Sequence, residues 1–233
     1  MTDPRPQLIL LPGLLNDAEL WRDQIGGLSD IARCDVADLS RGATLRAMAE
    51  TVLAQADPTF AVAGFSMGGY VAQEIARLAP ERLSHLALID TSIRVDTAER
   101  AAQRQALNQA AARPGAFLGI TDRIIASYVD ASRLSDAVLT GRIQAMTQRM
   151  GREVFLRQNS MPREDGEAAL RALRCPIIII CGENDIITPV AGQHEMARAI
   201  GCSHLLIIPK AGHMTPMEAP DAVNAALRRW LAR

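Results

Sequence analysis

The sequence has few aromatic residues, no surplus of charge of either sign and no long apolar run. Aromatic residues make up only 3% of the 233 residues, so alanine, leucine, isoleucine and valine must fill the core, and the hydrophobic content of 48% supplies ample material. The balance of 25 Lys and Arg against 26 Asp and Glu, with no basic stripe, argues against a dedicated nucleic-acid binder. The length fits one generous domain, or a core with an inserted subdomain.

Signals for membrane insertion and for metal binding are also lacking. The first apolar run, LILLPGLL, is interrupted by proline and glycine and is too short for a signal peptide or a membrane span. We therefore expect a cytoplasmic protein with no membrane or nucleic-acid partner, and its oligomeric state stays open. No cysteine spacing is typical of a metal site, so we expect small buried thiols and no metal at these positions: Cys34, Cys175, Cys181 and Cys202.

Short apolar runs alternate with amphipathic segments along the chain. Runs such as LILL and PIIII are apolar at consecutive positions, as in parallel strands that are covered on both faces. The runs predict strands at residues 7–11, 31–37, 59–63, 83–89, 176–181 and 204–208. Helical patterns lie at residues 18–28, 44–55, 68–78, 190–200 and 219–231. This alternation predicts an α/β protein with a doubly wound, mostly parallel sheet.

One segment, residues 93–165, interrupts the alternation. It contains no convincing strand, and its helical patterns lie at residues 97–112, 121–129 and 135–150. We interpret this segment as a helical insertion between two strands of the sheet, here called the cap. The core is then formed by residues 1–92 and 166–233.

The stretch GFSMGG, residues 64–69, follows the apolar run FAVA and precedes a helical pattern. The spacing G-x-S-x-G in this context is typical of a tight strand-to-helix turn that projects Ser66 at the C-terminal edge of the sheet. Ligands bind at that edge, where the helix N-terminus offers free N–H groups to developing negative charge. The alternatives are a plain turn serine and a phosphate-binding loop, but neither a P-loop lysine nor a G-x-G-x-x-G motif is present. Ser66 is therefore the candidate nucleophile.

A serine nucleophile needs a general base, and His213 is the candidate. It lies in KAGHM, a loop between the last predicted strand and the last predicted helix. This loop follows the C-terminal end of a parallel strand, where ligands bind in α/β proteins. The other histidines begin a strand or lie within a helical pattern, and we interpret them as surface or packing residues: His85, His194 and His204.

The base in turn needs a carboxylate to orient it, and Asp185 is the candidate. It follows the strand PIIII in the loop CGEND, at another C-terminal strand end. Glu183 is the nearest competitor and is interpreted as a solvated loop carboxylate. Asp90 ends the strand LALI and is the more serious rival, for which we prefer a structural role in its loop.

The candidate oxyanion hole is formed by two backbone N–H groups. Met67, next to the nucleophile, supplies one, and the loop after the first strand supplies the other. In that loop Gly13 permits a sharp turn and close approach of the backbone to a ligand. Leu14 is the candidate donor, with Leu15 as the neighbouring possibility; an ordinary Pro-Gly turn is the alternative.

The segments LILLPGLLNDAELW, FAVAGFSMGGYVAQEIARLAPERL, PIIIICGENDIITP and IPKAGHMTPMEAPDAV resemble the α/β-hydrolase superfamily. The resemblance covers nearly the whole chain, and the order Ser, Asp, His is the order that this superfamily uses. It implies the α/β-hydrolase fold, a triad of Ser66, Asp185 and His213, a cap that roofs the pocket, and no cofactor. Many relatives carry His-Gly where this chain has Pro12-Gly13, and the usual two leading strands are missing. We therefore expect a sheet of about six strands. We also expect the oxyanion hole to be preserved, because backbone groups form it.

The resemblance implies a serine hydrolase that cleaves a small carboxylic ester, lactone or thioester through an acyl-enzyme. The GFSMGG elbow resembles those of cofactor-free perhydrolases, esterases and enol-lactonases, a range that does not select one substrate. Two alternatives stay open. One is a C–C bond hydrolase acting on a vinylogous diketone, and the other is a non-catalytic receptor for a small ligand on the same fold.

Apolar residues are the candidates for the walls of the substrate pocket. Its candidate residues are Leu15, Trp21, Phe117, Met146 and Met150, with packing between cap and core as the alternative role. Two further cap residues are also weighed as pocket walls: Tyr128 and Phe155. For the arginine in MPRED at the end of the cap, Arg163, we favour a surface salt bridge over binding of a substrate carboxylate.

Overall fold

A computed structural model describes residues 4–113, 115 and 117–233 of the chain. The first three residues of the predicted core, and residues 114 and 116 of the predicted cap, lie outside the described residues. Within these ranges no helix combines the length and the apolar character that a bilayer span requires.

Six parallel strands in the described part of the chain form one sheet, which confirms the predicted fold class. Their order along the sheet is β2-β1-β3-β4-β5-β6, so the direction of winding reverses between β1 and β3. Ligands bind outside the carboxyl ends of the strands at such a reversal. The strands are β1 (Gln7–Leu11), β2 (Arg33–Val36), β3 (Phe60–Phe65), β4 (Leu83–Ile89), β5 (Ile177–Gly182) and β6 (Leu205–Ile208).

Helices connect the strands and cover both faces of the sheet. In the described residues they are α1 (Arg22–Leu28), α2 (Leu45–Gln55), α3 (Met67–Leu78), α4 (Ala98–Ala111), α5 (Asp122–Ile125), α6 (Ala137–Ser160), α7 (Glu167–Ala172), α8 (Val190–Ile200), α9 (Thr215–Glu218) and α10 (Pro220–Leu231). Helices α1 and α10 pack on one face of the sheet, and α2, α3 and α8 pack on the other.

The consecutive apolar residues of the strands divide between these two faces. In β1, Leu8 and Leu10 pack in the cluster that contains α1 and α10, whereas Ile9 and Leu11 pack in the cluster that contains α2 and α3. Successive side chains of a strand point to opposite faces, so a strand that is covered on both sides must be apolar at every position. This requirement explains why the sequence shows runs here rather than alternation.

The described part of the chain between β4 and β5 contains helices and no strand. Helix α5 ends at Ile125, before the predicted residue 129. Helix α6 runs past the predicted end at residue 150 to Ser160, through a kink at Gly151, whose φ of 79° lies in the left-handed region that favours glycine. The division between core and cap at residues 92/93 and 165/166 stays a prediction.

Candidate active site

The turn between β3 and α3 holds Ser66 in a strained backbone conformation. Its φ of 49° and ψ of −113° are rarely adopted by residues other than glycine. A Cβ at Gly64 would lie 2.6 Å from the carbonyl oxygen of Gly68, and a Cβ at Gly68 would lie 2.2 Å from that of Leu11. Glycine is therefore required at both positions, because the helix packs directly on β3 and on the loop after β1.

The structure brings Ser66, His213 and Asp185 into one hydrogen-bonded chain. Ser66 Oγ lies 3.0 Å from His213 Nε2, and His213 Nδ1 lies 2.8 Å from Asp185 Oδ2. Both the histidine and the aspartate are buried. These three residues, here called the hydrogen-bonded triad, come from the ends of three different parallel strands. The arrangement suits transfer of the serine proton to the imidazole, whose cation the aspartate would stabilise.

Thr188 holds the carboxylate of Asp185 in place. Its hydroxyl donates to Asp185 Oδ2 at 2.6 Å, and its backbone N–H donates to Oδ1 at 3.0 Å. The N–H of Ile187 also donates to Oδ1, at 2.8 Å. Burial acts to raise the pKa of Asp185, but the attraction of His213 and these hydrogen bonds outweigh it and hold the pKa at about 2. Asp185 is thus an ionised partner for an imidazolium.

The loop that carries His213 is fixed by Glu218 at the end of α9. The Glu218 carboxylate accepts the N–H of Met214 at 2.9 Å, that of Gly212 at 3.1 Å and that of Asp130 in the cap at 2.7 Å. Burial raises the pKa of Glu218, and the three backbone donors oppose this effect. Glu218 therefore ties the histidine loop to the cap.

Replacement of Glu218 by glutamine should lower both stability and turnover. The amide NH₂ would face backbone N–H donors, so at least one buried N–H loses its acceptor, at a cost of about 1–3 kcal/mol in the free energy of unfolding. A displaced imidazole should lower kcat roughly 10- to 100-fold. Urea denaturation and steady-state kinetics measure the two effects. The control is Glu50→Gln on an exposed surface of α2. If Glu218→Gln matched this control in both measurements, the Glu218 carboxylate would not position the histidine loop.

The rival carboxylates take other roles. Asp90 is buried at the end of β4, where its side chain accepts the N–H of Gly182 at 3.0 Å and the hydroxyl of Thr215. Burial and the neighbouring charge of Asp185 raise its pKa well above its usual range. This agrees with the structural role that the sequence favoured. Glu183 is exposed and accepts the N–H of Lys210 at 3.2 Å.

The two candidates for the second oxyanion donor differ in their hydrogen bonding. The N–H of Leu15 donates to Gln158 Oε1 of the cap at 2.9 Å, so it is already engaged. Leu14 and Met67 both line the cavity beside Ser66, and no described residue accepts a hydrogen bond from either N–H. As the first residue of α3, Met67 has no acceptor within its helix. These contacts favour the pair Leu14 and Met67 over Leu15, and their role stays a prediction.

A cavity of about 460 Å³ opens between the C-terminal edge of the sheet and the cap. Ser66 and His213 lie on its wall, and His213 is the single histidine among the described residues that lines it. The sequence also indicated Tyr128 and Phe155 as possible walls, and both contact the cavity. Its size suits a small organic substrate.

None of the five predicted pocket residues lines this cavity. Trp21 and Met146 are completely buried in the core, where Trp21 packs edge-on against Phe65 at 6.5 Å. Leu15 is also buried. The remaining two, Phe117 and Met150, are partly exposed on the cap outside the cavity wall. The core of this chain has few aromatic residues, and its large side chains are used for packing.

Polar residues of the cap and of α3 line the cavity together with apolar side chains. They include Tyr70, Arg100, Arg104, Asn159 and Arg163. The expected surface salt bridge of Arg163 is not formed, since no carboxylate among the described residues lies within 4.0 Å of its guanidinium. Arg163 was weighed from the sequence as a binder of a substrate carboxylate, but the other four were not predicted, because their position depends on how the cap helices pack on the core.

One group of described residues has the composition of a metal site but does not suit a metal ion. Ligand atoms of Asp90, Cys181 and Asp185 lie within 4.8 Å of one another. Both carboxylates are already hydrogen-bonded, and Asp185 serves His213. Burial raises the pKa of the Cys181 thiol far above its usual range, which disfavours the thiolate that binds metals.

The remaining cysteines are free thiols. Cys34, Cys175 and Cys202 are half-buried rather than fully buried, and Cys181 is buried as expected. Burial raises the pKa of each of the three half-buried thiols, which makes them poor nucleophiles. Their role is therefore packing.

The fold and the site place the chain in a known class of enzymes. The model of the alpha/beta hydrolase family matches residues 8–226, so the chain belongs to this family. This match confirms the prediction of an enzyme with the α/β-hydrolase fold.

Three similar proteins illustrate the relationship. BpoC of Mycobacterium tuberculosis, provisionally named a non-heme bromoperoxidase, is 31% identical over 182 residues, which cover 73% of this chain and 67% of that protein. The malate-bound structure of a thermophilic esterase from Thermogutta terrifontis is 30% identical and has a TM-score of 0.85, covering 99% of this chain and 91% of the esterase. The enol-lactonase of Burkholderia xenovorans LB400 has a TM-score of 0.85 at 19% identity, covering 99% and 93%, and shows the shared fold alone.

Proposed function

We propose that the protein is a serine hydrolase that cleaves a small carboxylic ester, lactone or thioester through an acyl-enzyme. The observation that carries this proposal is the continuous chain of hydrogen bonds from Ser66 Oγ through His213 to Asp185, on the wall of the cavity. A buried and oriented base beside a hydroxyl that lines the cavity is the arrangement that activates a serine. The protein is proposed to act in the cytoplasm.

In the first half of the reaction, His213 Nε2 takes the proton of Ser66 as Oγ attacks the acyl carbon. Asp185 keeps Nδ1 protonated and stabilises the imidazolium that forms. The tetrahedral intermediate then collapses, the bond to the leaving group breaks, and the leaving group takes the proton from His213. In the second half a water molecule gives a proton to the same nitrogen and attacks the acyl-enzyme. As the second tetrahedral intermediate collapses, the bond between Ser66 Oγ and the acyl carbon breaks, Ser66 Oγ takes the proton from His213, and the acid is released.

The negative charge of both tetrahedral intermediates falls beside the N-terminus of α3. The proposed donors are the N–H groups of Met67 and Leu14, each typically contributing about 3 kcal/mol to stabilisation of the transition state. The helix N-terminus adds a favourable field for the same charge. Because backbone groups supply the donors, Pro12-Gly13 in place of His-Gly is compatible with the proposal.

The similar esterase from Thermogutta terrifontis supports ester cleavage over the other reactions weighed, because its identity to this chain reaches 30% over nearly its whole length. Lactone and thioester cleavage stay within the proposal for two reasons. The elbow sequence is shared by enzymes with different substrates, and the cavity size admits all three acyl classes.

The proposal is tested by covalent labelling and by a substrate panel. A fluorophosphonate probe should label the wild-type protein, and p-nitrophenyl esters should show a burst of p-nitrophenol as the acyl-enzyme accumulates. The panel contains p-nitrophenyl esters of rising chain length, simple lactones, an acyl thioester and a vinylogous diketone. Turnover of the diketone with no ester, lactone or thioester cleaved would replace acyl transfer by C–C hydrolysis. A wild-type protein that is neither labelled nor active would overturn the enzymatic assignment of the site.

A further inference from the structure

The active-site cavity carries a surplus of positive charge. Its charged lining side chains are three arginines and one carboxylate: Arg100, Arg104, Arg163 and Asp96. The protein as a whole is close to neutral, with a net charge of −1. The positive charge is therefore concentrated in the cavity and is not a property of the whole surface.

Two of the arginines are occupied by protein acceptors. Arg104 Nη1 lies 2.7 Å from Asp96 Oδ2, and its other nitrogens donate to the backbone carbonyls of Asn159 and Met161. Arg100 lies 3.7 Å from Asp96 and donates to the carbonyl of Ile187 at 2.9 Å. The single carboxylate of the cavity wall is thus shared by these two cations.

Arg163 has no such partner. Among the described residues its guanidinium donates one hydrogen bond, from Nη1 to the carbonyl of Met161 at 3.3 Å, although a guanidinium has five N–H donors. It lies over the ring of Tyr70, 5.1 Å from the ring centre. Burial, assisted by the charge of Arg104, lowers its pKa to about 10. The charge of Asp96, which is paired with Arg104, offsets this effect only in part, and no carboxylate of the described residues lies within 4.0 Å of the Arg163 guanidinium. An anion in the cavity would compensate this half-buried cation.

Arg163, Tyr70 and Ser66 all line the same cavity. Tyr70 lies in the first turns of α3, four positions after Ser66, which corresponds to a rise of roughly 6 Å along a helix. Its hydroxyl is already used, donating to the carbonyl of Arg94 at 3.2 Å. The ring therefore serves as a platform for the Arg163 guanidinium on the cavity wall.

We propose that the substrate carries a free carboxylate in addition to the acyl bond that is cleaved, and that Arg163 binds this carboxylate. The inference rests on the proposed function and narrows it to anionic acyl compounds, such as half-esters of dicarboxylic acids or lactones that bear an acid group. Arginine suits this role because its planar fork matches a carboxylate in a bidentate manner. Arg163 is then a residue that determines substrate specificity and takes no part in bond cleavage.

Matched pairs of esters test this inference. Mono-p-nitrophenyl glutarate carries the charge on the acyl side and is compared with p-nitrophenyl valerate. Acetoxybenzoate carries it on the leaving group and is compared with phenyl acetate. In at least one pair the wild-type protein should prefer the anionic member roughly 10- to 100-fold in kcat/KM, mainly through a lower KM. Arg163→Gln should abolish that preference and leave the neutral ester within a few-fold, and Arg163→Lys should restore part of it.

Arg198→Gln, at an exposed position of α8 outside the cavity, is the control and should retain the preference. Binding is measured separately by calorimetry with the intact esters and Ser66→Ala, with and without Arg163→Gln. If the wild-type protein cleaves neutral esters but shows no anionic preference in either pair, or if Arg163→Gln affects both members equally, the inference is overturned. If no ester, lactone or thioester is cleaved at all, the proposed function fails, and calorimetry alone then decides whether an anionic ligand binds through Arg163.

Discussion

Replacement of Ser66 by alanine should lower kcat for ester hydrolysis by about 10⁵- to 10⁶-fold. The reason is geometric: Ser66 Oγ lies 3.0 Å from His213 Nε2, and its loss leaves the base with no nucleophile to activate. The oxyanion donors and the cavity are retained, so a small residual rate and normal substrate binding are expected. Rates with p-nitrophenyl acetate and labelling by a fluorophosphonate measure the change.

The matched control is Ser127→Ala. Ser127 also lines the cavity, but it has no histidine partner among the described residues, so its loss should leave kcat within a few-fold and labelling intact. Urea denaturation should show both variants folded. If Ser66→Ala retained more than a few per cent of the wild-type rate, the reaction would use a different nucleophile.

Asp185→Asn should lower kcat by about 10⁴-fold while the fold is maintained. An asparagine cannot hold the proton on His213 Nδ1 or stabilise the imidazolium, although its shape is nearly the same. The pKa of Asp185 is lowered to about 2, so the carboxylate stays ionised throughout the pH range of an ordinary assay. Its titration therefore cannot account for the acid limb of the wild-type pH–rate profile.

Asp90→Asn is a demanding control, because both carboxylates are buried at neighbouring strand ends. The pKa of Asp90 is raised where that of Asp185 is lowered, so Asp90 favours the neutral form. The oxygen of an amide can accept from the N–H of Gly182, and the Thr215 hydroxyl, which donates to Asp90 Oδ2 in the structure, can rotate to accept from the amide NH₂. We expect kcat within a few-fold of the wild type. Equal losses at positions 90 and 185 would show that the orienting acid is misassigned.

The pH dependence of stability has a defined sign at Asp185. Its folded pKa of about 2 lies below the ordinary value of 3.8, so the ionised group stabilises the fold above about pH 4. That contribution is lost as the pH falls from 3.8 through the folded pKa. The free energy of unfolding of the wild-type protein should therefore decline more steeply over this interval than that of Asp185→Asn.

The members of the hydrogen-bonded triad could be found from the sequence because the sheet determines where they meet. Parallel strands deliver their C-terminal ends to one edge, and each of the three residues follows an apolar run that reads as a strand. Thr188, which bonds the Asp185 carboxylate, was not predicted from the sequence. Local sequence and topology were sufficient at this edge.

The cavity wall could not be found in the same way. Which side of a cap helix faces the core depends on contacts between segments far apart in the chain, and apolar character alone assigned Trp21 and Met146 to the cavity although both fill the core. Arg163 was interpreted from its charge as a surface residue. Its stacking on Tyr70 depends on the approach of the end of the cap to α3, which leaves no local signal in the sequence.

The contacts around Glu218 limit how a substrate can enter. The carbonyl of Tyr128 accepts the N–H of His213 at 2.8 Å, and Glu218 bonds Asp130 as well as the histidine loop. Movement of this segment of the cap away from the core would displace the His213 imidazole from Ser66. The hydrogen-bonded triad would then be broken while the substrate enters.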